Sequence, residues 1–263
     1  MQIGLGISPT QPYGVAVPAF TPASISGLQL WLDASDGSTL FTDSAGTTAA
    51  VADGDPVGCW KDKSGNNYHA TQTDGTFKPL RKNAIQNAKN IIRFDGTNDR
   101  LVCGNVINLV DSSLAAFVAF KMTSSNGQII GKSHAGAGNG RWTTYRLSGK
   151  IYLFLEIDNQ YSIESVDSGT SFRVLSAIYR RNSYSVLRIN KTQLDSIYTA
   201  SSSTYITTDI FQIGAYQDSM GNEGNGNPMA GDIGEILIYR KSSISDENIN
   251  TIENYLMSKW GLL

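Results

Sequence analysis

The middle of the chain is a series of strand-like segments with no helical segment between them. Each is rich in aromatic or β-branched residues and is bounded by Gly, Asn, Asp or Ser, as strands separated by turns commonly are. They cover residues 114–122, 128–132, 141–147, 150–157, 172–179, 184–190 and 210–215. Parallel strands need crossover connections, usually helices, so this series predicts antiparallel sheets.

Alternation within the segments predicts that these sheets have one wet face. In 141–147, Thr143 and Tyr145 fall on one face of a strand, and Trp142 and Thr144 fall on the other. Residues 184–190 alternate in the same way, and this pattern is typical of antiparallel sheets with one solvated side. We therefore predict an all-β fold, a two-sheet antiparallel jelly-roll sandwich.

Residues 230–263 predict a strand, a helix cap and an amphipathic helix as one unit. Ser245 has the side chain of a good N-cap, and Asp246 and Glu247 place negative charge at the positive end of the helix. The apolar residues that follow recur at helical spacing: Ile249, Ile252, Leu256 and Trp260. We predict a C-terminal helix that packs across one end or edge of the sandwich.

The first part of the globular region has weaker signals. Short strands are predicted at 28–32, 57–60, 70–72, 91–94 and 100–103, where apolar runs lie between turn-forming residues. The polar and basic segment 78–89 is compatible with either a short helix or a surface loop.

The N-terminal residues 1–24 hold four of the seven prolines and predict an extended arm. Proline removes a hydrogen-bond donor and fixes φ, so the segment suits neither a helix nor a sheet interior. Two interpretations are open, a disordered tail and a segment that orders on a partner subunit. The apolar side chains in the segment favour the second: Ile3, Leu5, Ile7, Tyr13, Val15, Val17 and Phe20. The predicted sandwich domain spans 25–263.

Composition excludes several classes of protein. A net charge of −2 and a pI near 5.7 give no electrostatic attraction for nucleic acid or for an anionic membrane. No apolar run approaches the ~20 residues of a membrane span. The first twenty residues lack a basic start and contain prolines, unlike a signal peptide, so we expect synthesis in the cytoplasm.

Four sequence runs carry a family resemblance. They are LQLWLDASD from Leu28, WKDKSGNN from Trp60, IIRFDGTNDRL from Ile91, and GDIGEILIYRKSSISDENINTIENYLMSKWGL near the end. Together they resemble the laminin-G-like branch of the concanavalin A-like lectin and glucanase superfamily, over roughly residues 26–262. The resemblance implies a jelly roll. Domains of this kind resemble those of bacterial surface proteins and of bacteriophage structural proteins. It does not imply one function, because a shared fold does not define the site.

A catalytic motif is present only in part. Glu156, Ile157 and Asp158 match the first three positions of a strand motif in glucanases of that superfamily, which continues to a second Glu. The positions for that Glu hold Gln160 and Tyr161. The next carboxylate, Glu164, would lie about 26 Å away on an extended strand, whereas retaining glycosidases need ~5 Å. We therefore expect no catalytic residues and no enzyme activity.

A metal site and a glycan site are the remaining candidates. Calcium prefers oxygen ligands on loops, and the segment 218–227 offers them at Asp218, Asn222, Glu223 and Asn225. The competing interpretation is that such residues only form turns. A glycan site pairs an exposed aromatic ring with polar groups, which predicts Trp142, Tyr145, Tyr216, Asn222 and Asn225. The competing interpretation is that these aromatic residues belong to the core. No other cofactor is expected.

The first functional hypothesis is a bacteriophage virion protein, either a capsid decoration or a tail-associated subunit. The arm would contact other virion proteins and copies of the same chain in a homo-oligomer, with the lectin-like domain displayed on the particle. The second hypothesis is a carbohydrate-binding module that attaches to host or environmental glycans. A glycan hydrolase is the third.

Overall fold

The protein is a sandwich of two antiparallel sheets with one helix. The computed structural model describes residues 20–109, 112–132, 140–166, 169–201, 208–215, 227–241 and 244–263. Every strand pair in these residues is antiparallel, which confirms the predicted all-β jelly-roll sandwich.

Sheet 1 has eight strands in the order β15-β14-β13-β8-β17-β6-β5, with β1 paired to β17. Its strands are β1 (Leu28–Asp33), β5 (Leu80–Gln86), β6 (Lys89–Asp95), β8 (Ser113–Met122), β13 (Arg173–Tyr179), β14 (Ser183–Ile189), β15 (Thr192–Thr199) and β17 (Ala230–Lys241).

Sheet 2 has nine strands in the order β12-β11-β10-β9-β16-β7-β4-β3-β2. Its strands are β2 (Leu40–Phe41), β3 (Cys59–Trp60), β4 (Ala70–Thr71), β7 (Leu101–Gly104), β9 (Gly127–Lys132), β10 (Arg141–Leu147), β11 (Lys150–Ile157), β12 (Asn159–Val166) and β16 (Phe211–Ile213).

The central strand β8 of sheet 1 is buried on both faces. Val118 and Phe120 of β8 belong to the core between the sheets, whereas Phe117 and Ala119 belong to a second core on the outer face. Burial on both faces explains why β8 is almost continuously apolar, since neither face needs polar side chains.

The helix α1 (Asp246–Lys259) covers the outer face of sheet 1. The Ser245 hydroxyl accepts a hydrogen bond from the Asn248 amide at 3.2 Å, so the predicted cap is present. Trp260, immediately after the helix, is fully buried and stacks on Phe172 with 5.3 Å between ring centroids. The prediction that the helix lies across an end or edge was wrong, because its apolar stripe packs against the face of the sheet.

Three strands have sequences too polar to be recognised in advance. The segment 78–89 contains β5 and leads into β6, so neither a helix nor a loop forms there. β12 and β15 were not predicted either. β5, β12 and β15 end the strand orders of their sheets, where fewer side chains are buried.

Part of the predicted arm packs on the sandwich. The Tyr239 hydroxyl donates to the carbonyl of buried Pro22 at 2.9 Å, and the Phe20 ring meets Tyr255 edge-on at 5.4 Å. Residues 20–24 therefore pack with the second core. The remainder of the arm, residues 1–19, lies outside the described residues.

Candidate functional site

The outer face of sheet 2 carries the candidate site, on strands β10, β11 and β12. Successive side chains of a strand point to opposite faces. Ile151, Leu153 and Leu155 of β11 enter the core, so Lys150, Tyr152 and Phe154 take the outer face.

Trp142 does not supply an aromatic surface to solvent. It is fully buried in the core between the sheets, where its ring packs against Phe211 at 5.6 Å between centroids. Its indole N–H donates to the Ile107 carbonyl at 3.2 Å, which satisfies the one polar atom of the side chain. The expectation of an exposed Trp142 ring is corrected, because alternation along β10 directs this residue inward.

Tyr145 lies on the outer face and forms an aromatic pair with Tyr152. The two residues are directly opposite each other in the β10–β11 register. Their rings are parallel to within 2°, with 4.8 Å between centroids, and both side chains are partly exposed. Such a cross-strand pair fixes both rings without a loop.

An ion pair lies beside the two tyrosines. The Lys150 ammonium is 2.8 Å from a carboxylate oxygen of Glu164, and both side chains are more than 40% exposed, at 41% and 48%. Hydrogen bonds with Lys150 and Tyr152 lower the pKa of Glu164, and the hydrogen bond to Glu164 raises the pKa of Tyr152. Burial raises the pKa of Tyr145, which also bonds Ser162. Both tyrosines and Glu164 therefore keep defined protonation states at neutral pH.

These groups match what a sugar needs from a protein surface. Aromatic rings contact the apolar C–H groups of a sugar, while a carboxylate accepts and an ammonium donates to its hydroxyls. We name Tyr145, Tyr152, Lys150 and Glu164 the tyrosine face. Tyr152, Lys150 and Glu164 were missed from the sequence, although the alternation in 150–157 was the available signal.

Glu156 does not form a catalytic carboxylate pair with Glu164. It is buried, ion-paired with Arg141 and bonded by Gln160, whose amide nitrogen lies 3.3 Å from Oε1. The β11–β12 hairpin returns at Asp158, so Glu164 is much closer to Glu156 than an extended strand would place it. In the β11–β12 register Glu156 lies opposite Gln160, and Tyr152 lies opposite Glu164. Glu164 is therefore four residues along β12 from the position opposite Glu156, a separation of about 13 Å. Glycosidases use separations of roughly 5–9.5 Å.

The other predicted site residues lie outside the described residues. These are Tyr216, Asn222 and Asn225 for the glycan site, and Asp218, Asn222, Glu223 and Asn225 for calcium. The last described residue before them, Ala215, accepts a hydrogen bond at 3.3 Å from Gln128, which pairs with Tyr145. The chain thus leaves sheet 2 close to the tyrosine face.

Several acidic side chains in the described loops stabilise backbone turns. Asp43, Asp55 and Asp95 each accept hydrogen bonds from backbone amides within five residues. Among the described residues, no group of three or more His, Cys, Asp or Glu side chains is arranged for a metal ion.

The two antiparallel sheets define a β-sandwich, and the Tyr145–Tyr152 pair is partly exposed on one of its faces. No protein-family model and no curated protein matches the sequence. Solved structures do match the fold. The botulinum neurotoxin serotype D binding domain aligns with a TM-score of 0.59 and 13% identity, over 88% of this chain and 51% of that one.

Two further structures have the same architecture. The serotype D ligand-binding domain in complex with N-acetylneuraminic acid gives a TM-score of 0.57 at 16% identity, over 89% of this chain and 52% of its own. The binding domain of Paraclostridial Mosquitocidal Protein 1 gives a TM-score of 0.52 at 12% identity, over 89% of this chain and 53% of its own. This chain spans about half the length of each. At 12–16% identity the likeness shows the fold alone. Membership of the concanavalin A-like superfamily stays a prediction.

In the part of the chain that the structure describes, no helix has the length and apolar composition of a membrane span.

Proposed function

We propose that this protein binds glycans on the outer face of sheet 2 without breaking a bond. The observation that carries the proposal is the parallel, partly exposed Tyr145–Tyr152 pair beside the Lys150–Glu164 ion pair. The strand backbones hold both rings and charges in place, so binding a sugar costs little ordering of the protein. The distance between Glu156 and Glu164 supports a binding role over glycoside hydrolysis.

The relatives in fold support a binding role in a general way. Their titles describe binding domains, and one of them is a complex with N-acetylneuraminic acid. Since only about half of each domain aligns, the argument for this chain rests on its own surface.

A glycan array probed with the wild-type chain and with Tyr152→Ala tests the proposal. We expect the variant to lose most binding, because it removes the aromatic ring that would contact the apolar C–H groups of the sugar. The matched control is Tyr184→Ala, which removes a ring that is 59% exposed on sheet 1. If no glycan binds the wild type, or if Tyr184→Ala is as damaging as Tyr152→Ala, the tyrosine face is not the site.

The second candidate is the bacteriophage virion subunit, a capsid decoration or tail-associated protein. The observation that favours it is a groove of about 400 Å³ on α1, lined by Phe20, Thr251, Asn254, Tyr255, Ser258 and Lys259. The arm joins the folded part at this groove, and its apolar side chains suit contacts with a neighbouring copy or another virion protein. In this role the tyrosine face would be displayed on the particle.

Quantitative mass spectrometry of density-purified particles tests the virion role. A fixed ratio to the major capsid subunit supports it, and the ratio distinguishes a decoration from a tail subunit. Recovery only in the unassembled fraction of the lysate removes this candidate while leaving glycan binding unaffected.

A further inference from the structure

A cavity of about 430 Å³ lies at one end of sheet 1, away from the tyrosine face. It forms where β6 and β8 end and β17 begins. The polar residues that line it are Arg93, Asp95, Asp99, Lys121, Thr123 and Asp232. Its volume falls in the range of small-molecule sites, and charged side chains of both signs converge on it.

Arg93 and Asp232 neutralise each other. The guanidinium donates to both oxygens of the Asp232 carboxylate, at 2.6 Å from Nε and 3.0 Å from Nη2. Asp232 also lies opposite Lys121 in the β8–β17 register, but both of its oxygens are engaged by Arg93. Among the described residues, no carboxylate is within ion-pairing distance of Lys121, so its ammonium is available to a ligand.

The opposite wall of the cavity has two carboxyl groups, each with an oxygen that can accept a further hydrogen bond. Asp95 caps the turn after β6 through Oδ1, which accepts from the amides of Thr97 and Asn98 at 2.7 and 3.2 Å. Asp99 accepts the Asp95 amide through Oδ2 at 2.9 Å. One oxygen of each group therefore has no hydrogen bond to any described residue. Leu80, 39% exposed, adds an apolar wall.

We propose that this cavity binds a compact zwitterion of the amino-acid class. The ligand carboxylate pairs with Lys121, and its ammonium pairs with the Asp95 carboxylate, beside the Asp99 carboxyl group. An anion alone would leave the carboxyl wall unmatched, and a cation alone would leave Lys121 unmatched, so a ligand with both charges gives the best complementarity. The site is separate from the proposed glycan site and does not depend on it.

Calorimetric titration of the full chain with the standard free L-amino acids tests the proposal. We expect at least one to bind, and its amide and N-acetyl derivatives, which each lose one charge, to bind about tenfold more weakly or worse. Absence of binding for every amino acid up to roughly 10 mM would overturn the proposal. Equal binding of the singly charged derivatives would overturn it too.

Variants locate the site. Lys121→Gln should weaken binding by about tenfold, whereas Lys241→Gln, at the other end of β17, should leave it unchanged. Asp95→Asn is a second variant that keeps the oxygen used for the turn, and it should weaken binding similarly. Tyr152→Ala should bind the amino acid normally. Unchanged affinity in both Lys121→Gln and Asp95→Asn, with the fold intact by circular dichroism, contradicts the proposed site.

Discussion

At the scale of single residues, Glu235 places a carboxylate in the buried contact between β17 and α1. Its side chain is fully buried under α1 and accepts from the indoles of Trp31 and Trp260 at 2.8 and 3.1 Å. The Tyr255 hydroxyl donates to it at 2.9 Å, and the Lys259 ammonium lies 2.8 Å away. Burial raises the pKa of Glu235 while Lys259 opposes that shift. One partner from β1 and three from α1 and its C-terminal end thus depend on one carboxylate.

Replacing Glu235 should therefore be costly. We expect Glu235→Ala to lower the free energy of unfolding by about 3–5 kcal/mol, because Lys259 and two indole N–H groups lose a buried partner. Urea denaturation measures the change. The control Glu247→Ala, on the exposed first turn of α1, should cost below about 1 kcal/mol. Similar values for the two variants would show that the network contributes nothing beyond surface electrostatics.

Asp99 predicts a pH dependence of stability. Burial is the main cause that raises its pKa from 3.8 to about 7. Between roughly pH 4 and 7 the folded chain keeps a proton that the unfolded chain has released, so this group's contribution to stability falls as pH rises through that window. Above about pH 7 the contribution of Asp99 to stability falls no further.

The variant Asp99→Asn isolates this effect, since Asn still accepts the Asp95 amide but does not titrate. We expect the variant to gain stability relative to the wild type as pH rises from about 4 to 8. Urea denaturation of both proteins at several pH values measures the difference. A difference that stays constant with pH would mean that Asp99 has an ordinary pKa.

At the scale of elements, α1 is held by an apolar stripe and by its ends. Ile249, Ile252 and Leu256 pack on sheet 1, and the Ser245 cap satisfies an amide of the first turn. Trp260 closes the far end, where its ring lies against Gly234: a Cβ on that glycine would meet the ring at 2.6 Å. The bulge of β17 at this point therefore accommodates the indole.

We expect Trp260→Ala to destabilise the protein by roughly 3–5 kcal/mol, because it leaves a cavity over sheet 1 and removes a donor to Glu235. Thermal or urea unfolding measures this. Ser245→Ala should cost only ~1 kcal/mol, the usual value of an N-cap. A negligible effect of Trp260→Ala would show that α1 contributes little to the stability of the sandwich.

At the scale of the whole molecule, two cores share sheet 1. One lies between the sheets, and the other lies beneath α1 and includes Ile25, with Phe20 packed against its edge. The second core draws on both ends of the described chain, since residues 20–25 and α1 meet there. α1 does not cover the outer face of sheet 2, where Lys150 and Glu164 of the tyrosine face are 41% and 48% exposed.

Two truncations test where the folded unit begins. Relative to deletion of residues 1–19, deletion of 1–24 should lower the thermal midpoint, because it removes Phe20 and the Pro22 carbonyl that accepts from buried Tyr239. The lost contacts amount to about 1–3 kcal/mol. Identical midpoints for the two proteins would assign residues 20–24 to the arm alone.

The sequence determined the strands that alternate or are continuously apolar, and the helix with its cap, because these signals come from local periodicity and end chemistry. It did not determine β5, β12 and β15, whose polar side chains are compatible with a strand only once a neighbour supplies backbone hydrogen bonds.

The candidate sites depended far more on tertiary structure. Alternation shows that Trp142 and Tyr145 face opposite ways, yet both are aromatic, so only the position of the core decided which one is buried. The pairing of Tyr145 with Tyr152, and of Lys150 with Glu164, follows from the β10–β11–β12 register. The cavity near Lys121 joins three strands far apart in sequence. Local sequence encodes which face a side chain can take, and only packing of the sheets decides which face meets solvent and what lies beside it.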